Sequence, residues 1–279
     1  MAYKTIMTVV TDPKPAGCAL EQGITLAESM DAHLEVLCMG VDRTQTGYYY
    51  AGANAMILQE TINRANNEAK ETAEQVRARL KKTDIRWNLE TGVAQLADIG
   101  RNVAAHGRFA DIVILPRPYG DGRGAELEPV IEGALFDGRV PVIVAADGRQ
   151  PITWPARVLI GWDESTEALS AARAALPLLT RAEVVHVVVV DPPAHGPNRS
   201  DPGGLLSQYL ARHGVKVEID VLSKTMPRVS DVLMRHAGDM DAEMIVMGAY
   251  GHSRFREAIL GGATRNMLEH ATLPLFMAH

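Results

Sequence analysis

Short unbroken apolar runs alternate along this chain with longer stretches in which apolar positions recur every three or four residues. The runs fall at KTIMTVVTD (4–12), Leu34–Met39, RVLIGWD (157–163) and Val184–Val190, with further ones near 110–116, 140–146, 242–248 and 273–279. A run that stays apolar instead of alternating predicts a strand buried on both faces, as in a parallel sheet covered by helices. The periodic stretches Gly17–Met30 and Ser165–Leu179 predict the helices that return the chain between such strands. A longer one over 54–82 sets Ile62, Ala65, Ala69, Ala73, Val76 and Leu80 on a single stripe, which predicts a helix packed on the sheet. Its counterpart near Gly203–His213 is short.

The pattern occurs twice. Each half opens with an apolar run ending on an acid, Asp12 or Asp163, followed by a helix and a second run. Asp12 to Cys38 and Asp163 to Val189 are equally spaced, so the two openings superpose without a gap. ADIVILPRPYG (110–120) aligns with AEMIVMGAYGH (242–252), and VPVIVAA (140–146) with LPLFMAH (273–279). A repeat this long means duplicated domains and not a solenoid. The expected architecture is α/β: two tandem doubly wound domains, 1–147 and 156–279, each a five-stranded parallel sheet with helices on both faces. Residues 147–156, DGRQPITWPA, carry the Gly and Pro of a linker. The final strand of each half would be an exposed edge on its own. The two are therefore expected to meet in an internal pseudo-dimer.

Composition narrows the function. The 279 residues carry 28 Lys and Arg against 34 Asp and Glu, a net charge of −6, with no dense basic run. A nucleic-acid surface is not expected from such a balance. No apolar run approaches the roughly 20 residues that span a bilayer, and the N-terminus lacks the pattern of a signal peptide. Cys18 and Cys38 fit no metal or redox spacing. A cytoplasmic protein without membrane contact is expected.

Ligands of open parallel sheets sit beyond the carboxyl ends of the strands, where the strand order reverses. In the second half these ends are Gly161-Trp162-Asp163, Val189-Val190-Asp191 and Met247-Gly248. The last leads into MGAYGHSRFREAILGGATRNMLEH, where Gly248 and Gly251 bracket two residues and Gly261-Gly262-Ala263-Thr264 opens a helix nine residues later. Glycines allow backbone to approach phosphate oxygens closely. The helix start aims N–H groups and the positive end of its dipole at an anion. Thr264 adds a hydroxyl, and His252, Arg254 and Arg256 lie in the loop between as screening charges. Single glycines at strand-to-helix turns are common punctuation; four at these spacings point to phosphate or nucleotide binding. Ser165 is the better-placed helix cap, which leaves Asp163 for a ligand. The nine histidines show no metal spacing, and His186 and His270 read as packing or helix-end residues. Tyr48-Tyr49-Tyr50 reads as a surface loop.

G-x-x-G, nine residues, then G-(S/T) resembles the ATP-binding motif of the universal stress protein family, and RVLIGWDESTEAL resembles that family's first strand. The resemblance covers nearly the whole chain, twice. It implies Trp162, Asp163 and Val189 near adenine and ribose. Met247, Gly248, Gly251, His252, Gly261, Gly262, Ala263 and Thr264 would lie around the phosphates. The implied ligand is ATP, with ADP or AMP as alternatives and Mg2+ as accompanying ion. Gly262 stands where the family has Ser or Thr, so one hydroxyl donor worth about 1.5–3 kcal/mol is missing.

The first half has lost these positions: Pro116 corresponds to Gly248, Tyr119 to Gly251, and Glu128 and Pro129 lie in the neighbourhood of Gly261-Gly262. Pro116 lacks an N–H, and Glu128 would repel phosphate. One nucleotide per chain, in the second domain, is the resulting expectation. The leading function is a regulatory protein of the stress response with little or no turnover, because no carboxylate–histidine pair follows the loop to activate water. An enzyme of the adenine-nucleotide alpha-hydrolase-like group is one alternative, although neither an SGG-x-DS nor a HIGH loop occurs. A scaffold with a vestigial site is the other. A protein partner and a homodimer stay open, neither identified by the residues.

Overall fold

A computed structural model describes residues 2–43, 55–192, 201–250 and 262–279. The chain forms two compact units, Tyr3–Val140 and Pro141–His279, the latter with the first two residues. Among the described residues no helix is long and apolar enough to cross a membrane.

In the first unit β1 (Thr5–Val10), α1 (Pro13–Met30), β2 (His33–Asp42), α2 (Ala55–Leu80), β3 (Arg86–Gln95), α3 (Ile99–Gly107), β4 (Ile112–Pro116) and α4 (Leu127–Glu132) follow in order. Helix α4 widens into a π-helical turn, Gly133–Asp137. The strand order is β3-β2-β1-β4, all parallel. All of β4 and five of the six residues of β1 are buried, as unbroken apolar runs require when helices cover both faces.

Helix α1 starts at Pro13, capped by the Asp12 carboxylate on the Lys14 N–H, several residues before the predicted Gly17. Helix α2 buries Ala65, Ala69, Ala73, Val76 and Leu80 as its stripe predicted, but Ile62 is 39% exposed. Small residues bring this helix so near the sheet that a Cβ on Gly40 would overlap the Ala65 carbonyl oxygen. Glycine is required there by that approach.

The second unit contains β5 (Val142–Ala145), β6 (Arg157–Gly161), α5 (Thr166–Ala174), α6 (Leu176–Leu179), β7 (Val184–Val190), α7 (Gly204–Arg212), β8 (Val217–Leu222), α8 (Val229–Asp239), β9 (Met244–Gly248), α9 (Ala263–His270) and β10 (Leu275–Ala278). The predicted Ser165–Leu179 helix is thus two, interrupted before Pro177, whose ring cannot supply an N–H to the helix ladder. The order is β5-β10-β9-β6-β7-β8. All neighbours are parallel except β5 and β10, which run antiparallel with Ile143 opposite Phe276.

Among the described residues, five strands arise from each half of the chain. The last strand of the first half, β5, lies within the second compact unit through its pairing with β10. The compact units therefore divide at Val140/Pro141, ahead of the linker at 147–156. Phe276 and Met277 on β10 are fully buried, and Ile143 on β5 is 1% exposed.

The two openings do not superpose without a gap. The Asp111 carboxylate accepts the Lys4 N–H, as the Glu243 carboxylate accepts that of Ala156. Thr5 O accepts from Asp111 N, as Arg157 O does from Glu243 N. Counting forward from these pairs sets Thr11, not Asp12, opposite Asp163, and the second strands then require a one-residue gap.

Candidate functional site

Strand β6 is the switch point of the second unit. It lies between β7, reached through α5, and β9, reached from the far edge through α8. Its last residue, Gly161, is in register with Val188 on one side and Met247 on the other. The carboxyl ends of three parallel strands are therefore level, and Trp162, Asp163, Val189, Met247 and Gly248 come together there. Trp162 is half-buried, with its N–H bonded to Val188 O at 2.9 Å. Val189 and Met247 are 5% and 6% exposed, so they form the floor, and Asp163 is exposed at its edge.

Helix α9 starts at the same place. Thr264 Oγ1 accepts the N–H of Tyr250, two residues past β9, at 3.1 Å. Gly262 precedes the helix with no side chain capping its start, and Ala263 is exposed. Asn266 holds the turn, since both its backbone N–H and its Nδ2 donate to Gly262 O at 3.1 Å. His279 Nδ1 lies 3.0 Å from Ala249 O, which places an imidazole beside the end of β9. Sequence reasoning passed over Asn266 and His279; the only signal was their distance from the glycines. Gly251, His252, Arg254, Arg256 and Gly261 lie outside the described residues, as do Tyr48-Tyr49-Tyr50.

Three roles differ from expectation. Asp163 is not left free by Ser165: its Oδ1 accepts both the N–H and the hydroxyl of Ser165, at 3.0 and 2.6 Å. Ser165 Oγ in turn accepts the Ala168 N–H at 3.1 Å, so acid and cap form one relay at the start of α5. Thr264 is 2% exposed and its hydroxyl serves Tyr250 first. Gly248 also serves the protein's own packing. A Cβ there would lie 2.6 Å from Ala168 N and 2.9 Å from Glu167 Cβ, so β9 and the first turn of α5 meet through it.

The backbone at these ends is unusual. Glu164, Asp191 and Tyr250, one after each of β6, β7 and β9, have φ of 64°, 49° and 57°. Side chains other than glycine rarely enter this region, and each such residue costs about 1–3 kcal/mol unless its surroundings impose it. Such conformations gather where a ligand is held. The first unit has none at the ends of β1, β2 or β4 among the described residues.

The first unit shows a different arrangement at its carboxyl ends. Asp12 is spent on capping α1. Glu128, expected to repel phosphate, accepts the Tyr119 hydroxyl at 2.6 Å, so the two residues satisfy each other. A cleft of about 280 Å³ beyond β2 is lined by Asp42, Arg43, Thr61, Arg64 and Glu68, cations and anions together.

His186 is not an isolated packing residue. His186 Nδ1 and His236 Nε2 share Asp220 Oδ2, at 2.8 and 2.9 Å, tying β7 and α8 to edge strand β8. Burial raises the Asp220 pKa, but the hydrogen bonds from His236 and His186, with their charges, outweigh it and hold the carboxyl below its ordinary value. Among the described residues no group of three or more His, Cys, Asp or Glu could hold a metal ion.

Residues 156–279 match the Universal stress protein family. A curated universal stress protein from Synechocystis sp. is 27% identical over 160 residues, covering 54% of this chain and 50% of that protein. The chain thus spans about half the length of the curated relative it matches. The crystal structure of a universal stress protein from Archaeoglobus fulgidus covers 98% of this chain and 95% of its own, at 17% identity and a TM-score of 0.69. A putative universal stress protein from Pseudomonas aeruginosa covers 99% and 93%, at 14% identity and a TM-score of 0.61. These two likenesses concern the fold alone. A universal stress protein domain is thereby found at 156–279, and the full-length likenesses show that the fold extends over the whole chain.

Proposed function

We propose, starting from the universal stress protein domain at residues 156–279, that the protein is a regulator of the stress response that binds ATP in its second domain and turns it over slowly or not at all. The observation that carries this reading is the convergence at one switch point of Asp163, Val189, Gly248 and the start of α9, with left-handed residues after all three strands. Adenine and ribose would rest on Val189 and Trp162. The phosphates would lie against the N–H groups of Ala263 and Thr264 and the glycines at 248, 251, 261 and 262, where a helix start favours anions.

The described rim is acidic, with Asp163, Glu164, Glu167 and Asp191. Such a rim suits a polyphosphate that arrives with a divalent ion. Mg2+ is commonly held by one or two carboxylates together with substrate phosphates, so the absence of a protein-only cage among the described residues is no obstacle. The reading places the protein in the cytoplasm, where ATP is abundant. ADP and AMP share the adenosine half and compete for the site.

Small molecules released by denaturing freshly purified protein, identified by mass spectrometry, provide the test. An adenine nucleotide at close to one per chain is expected. Protein that carries none, and acquires none when dialysed against MgATP, contradicts the reading and leaves a scaffold with a vestigial site.

A further inference from the structure

Glu126 sits in the first unit where Gly262 sits in the second, at the residue preceding the helix that follows the fourth strand. Its side chain is 2% exposed. Oε1 accepts a hydrogen bond from Arg43 Nη2 at 2.9 Å, and Arg43 is the first residue beyond β2. Oε2 is buried without a hydrogen-bond partner among the described residues. The carboxylate lies over Gly124, where a Cβ would overlap it. Arg43 reaches Glu68 only at 3.8 Å, so Glu126 is its close partner.

A carboxylate half-satisfied in the interior is costly, and a guanidinium beside it is what makes its charge tolerable there. This arrangement resembles an anion site already filled. It has a cation at the end of the second strand, a glycine beneath, and a carboxylate in place of a bound phosphate. Glu128 cannot play that part, because Tyr119 already donates to it.

We propose that Glu126, held by Arg43, is a built-in anion that keeps anionic nucleotides out of the first domain, and that this residue sets the one-per-chain stoichiometry. The inference rests on the reading of the second domain given above. Calorimetric titration of the full chain with MgATP tests it, using Glu126→Gly, which copies Gly262, and Glu126→Gln, which removes the charge and keeps the shape. Wild type is expected to bind one nucleotide. Glu126→Gly is expected to bind two, the second at least tenfold more weakly, and adding Arg43→Gln returns the number to one. Should Glu126→Gly fail to fold by circular dichroism, Glu126→Gln decides: a second site supports the inference and a single site overturns it. One nucleotide in wild type and in both folded variants overturns the inference and leaves the proposed function standing. Two in wild type also overturns the inference, and none in wild type overturns the proposed function itself.

Discussion

Thr264 shows how one hydroxyl can serve fold and site together. It is buried and accepts the Tyr250 N–H, so it fixes the start of α9 to the first residues of the loop that follows β9. Thr264→Val keeps the shape and removes the acceptor. It should cost about 1 kcal/mol, the net worth of such a bond, and lower the urea midpoint without changing the slope. Thr264→Ser should restore it, and a Val variant as stable as wild type would refute the role. At this scale the sequence was only partly readable. The positions of Asp163, Gly248 and Thr264 at strand ends and a helix start were legible, because both follow from local pattern. Their partners were not, because Ser165 on Asp163 and Ala168 against Gly248 depend on how the first turn of α5 packs on β9. The left-handed conformations of Glu164 and Tyr250 carry no compositional mark, since neither residue type favours them.

Between elements, two contacts join segments that lie far apart in the chain. Asp220 is 34 residues from His186 and 16 from His236, a separation that no spacing rule connects. Its folded pKa is lowered, so its contribution is complete above the ordinary carboxylate value of about 3.9 and is lost as pH falls through the lower folded value. Asp220→Asn should therefore destabilise by about 1 kcal/mol at pH 7, a partly exposed cluster being worth no more. That deficit should shrink towards zero as denaturation is followed below pH 4, and a deficit independent of pH would contradict the ionic account. The second contact is β5 on β10. The apolar runs at both segments were plain in the sequence, and the penalty on exposed edges predicted that they would meet. The register, Val142 opposite Met277, was not legible there. A fragment covering 156–279 leaves the buried strand β10 as an open edge, whereas the full chain keeps β5 over it. Light scattering should find the fragment more self-associated than the full chain at equal concentration; equal association would dismiss the edge as the cause.

For the whole molecule, two halves with the same strand pattern differ at their strand ends. The repeat was legible because apolar strands must recur wherever a parallel sheet recurs. The one-residue gap between the openings was not, because it resides in backbone hydrogen bonds such as Asp111 to Thr5 and Glu243 to Arg157. Nucleotide is proposed to enter the second domain alone. Its strand ends gather Asp163, Val189, Gly248 and Thr264, while those of the first unit are occupied by Asp12 as a cap, Tyr119 on Glu128 and Arg43 on Glu126. Calorimetry of MgATP binding to the full chain, with Gly261→Val and Asp12→Asn beside wild type, tests this most directly. One site is expected in wild type, at least tenfold weaker binding in Gly261→Val, which is about 1.4 kcal/mol or more, and unchanged binding in Asp12→Asn. Two sites in wild type, or binding that survives Gly261→Val and is lost in Asp12→Asn, would contradict it.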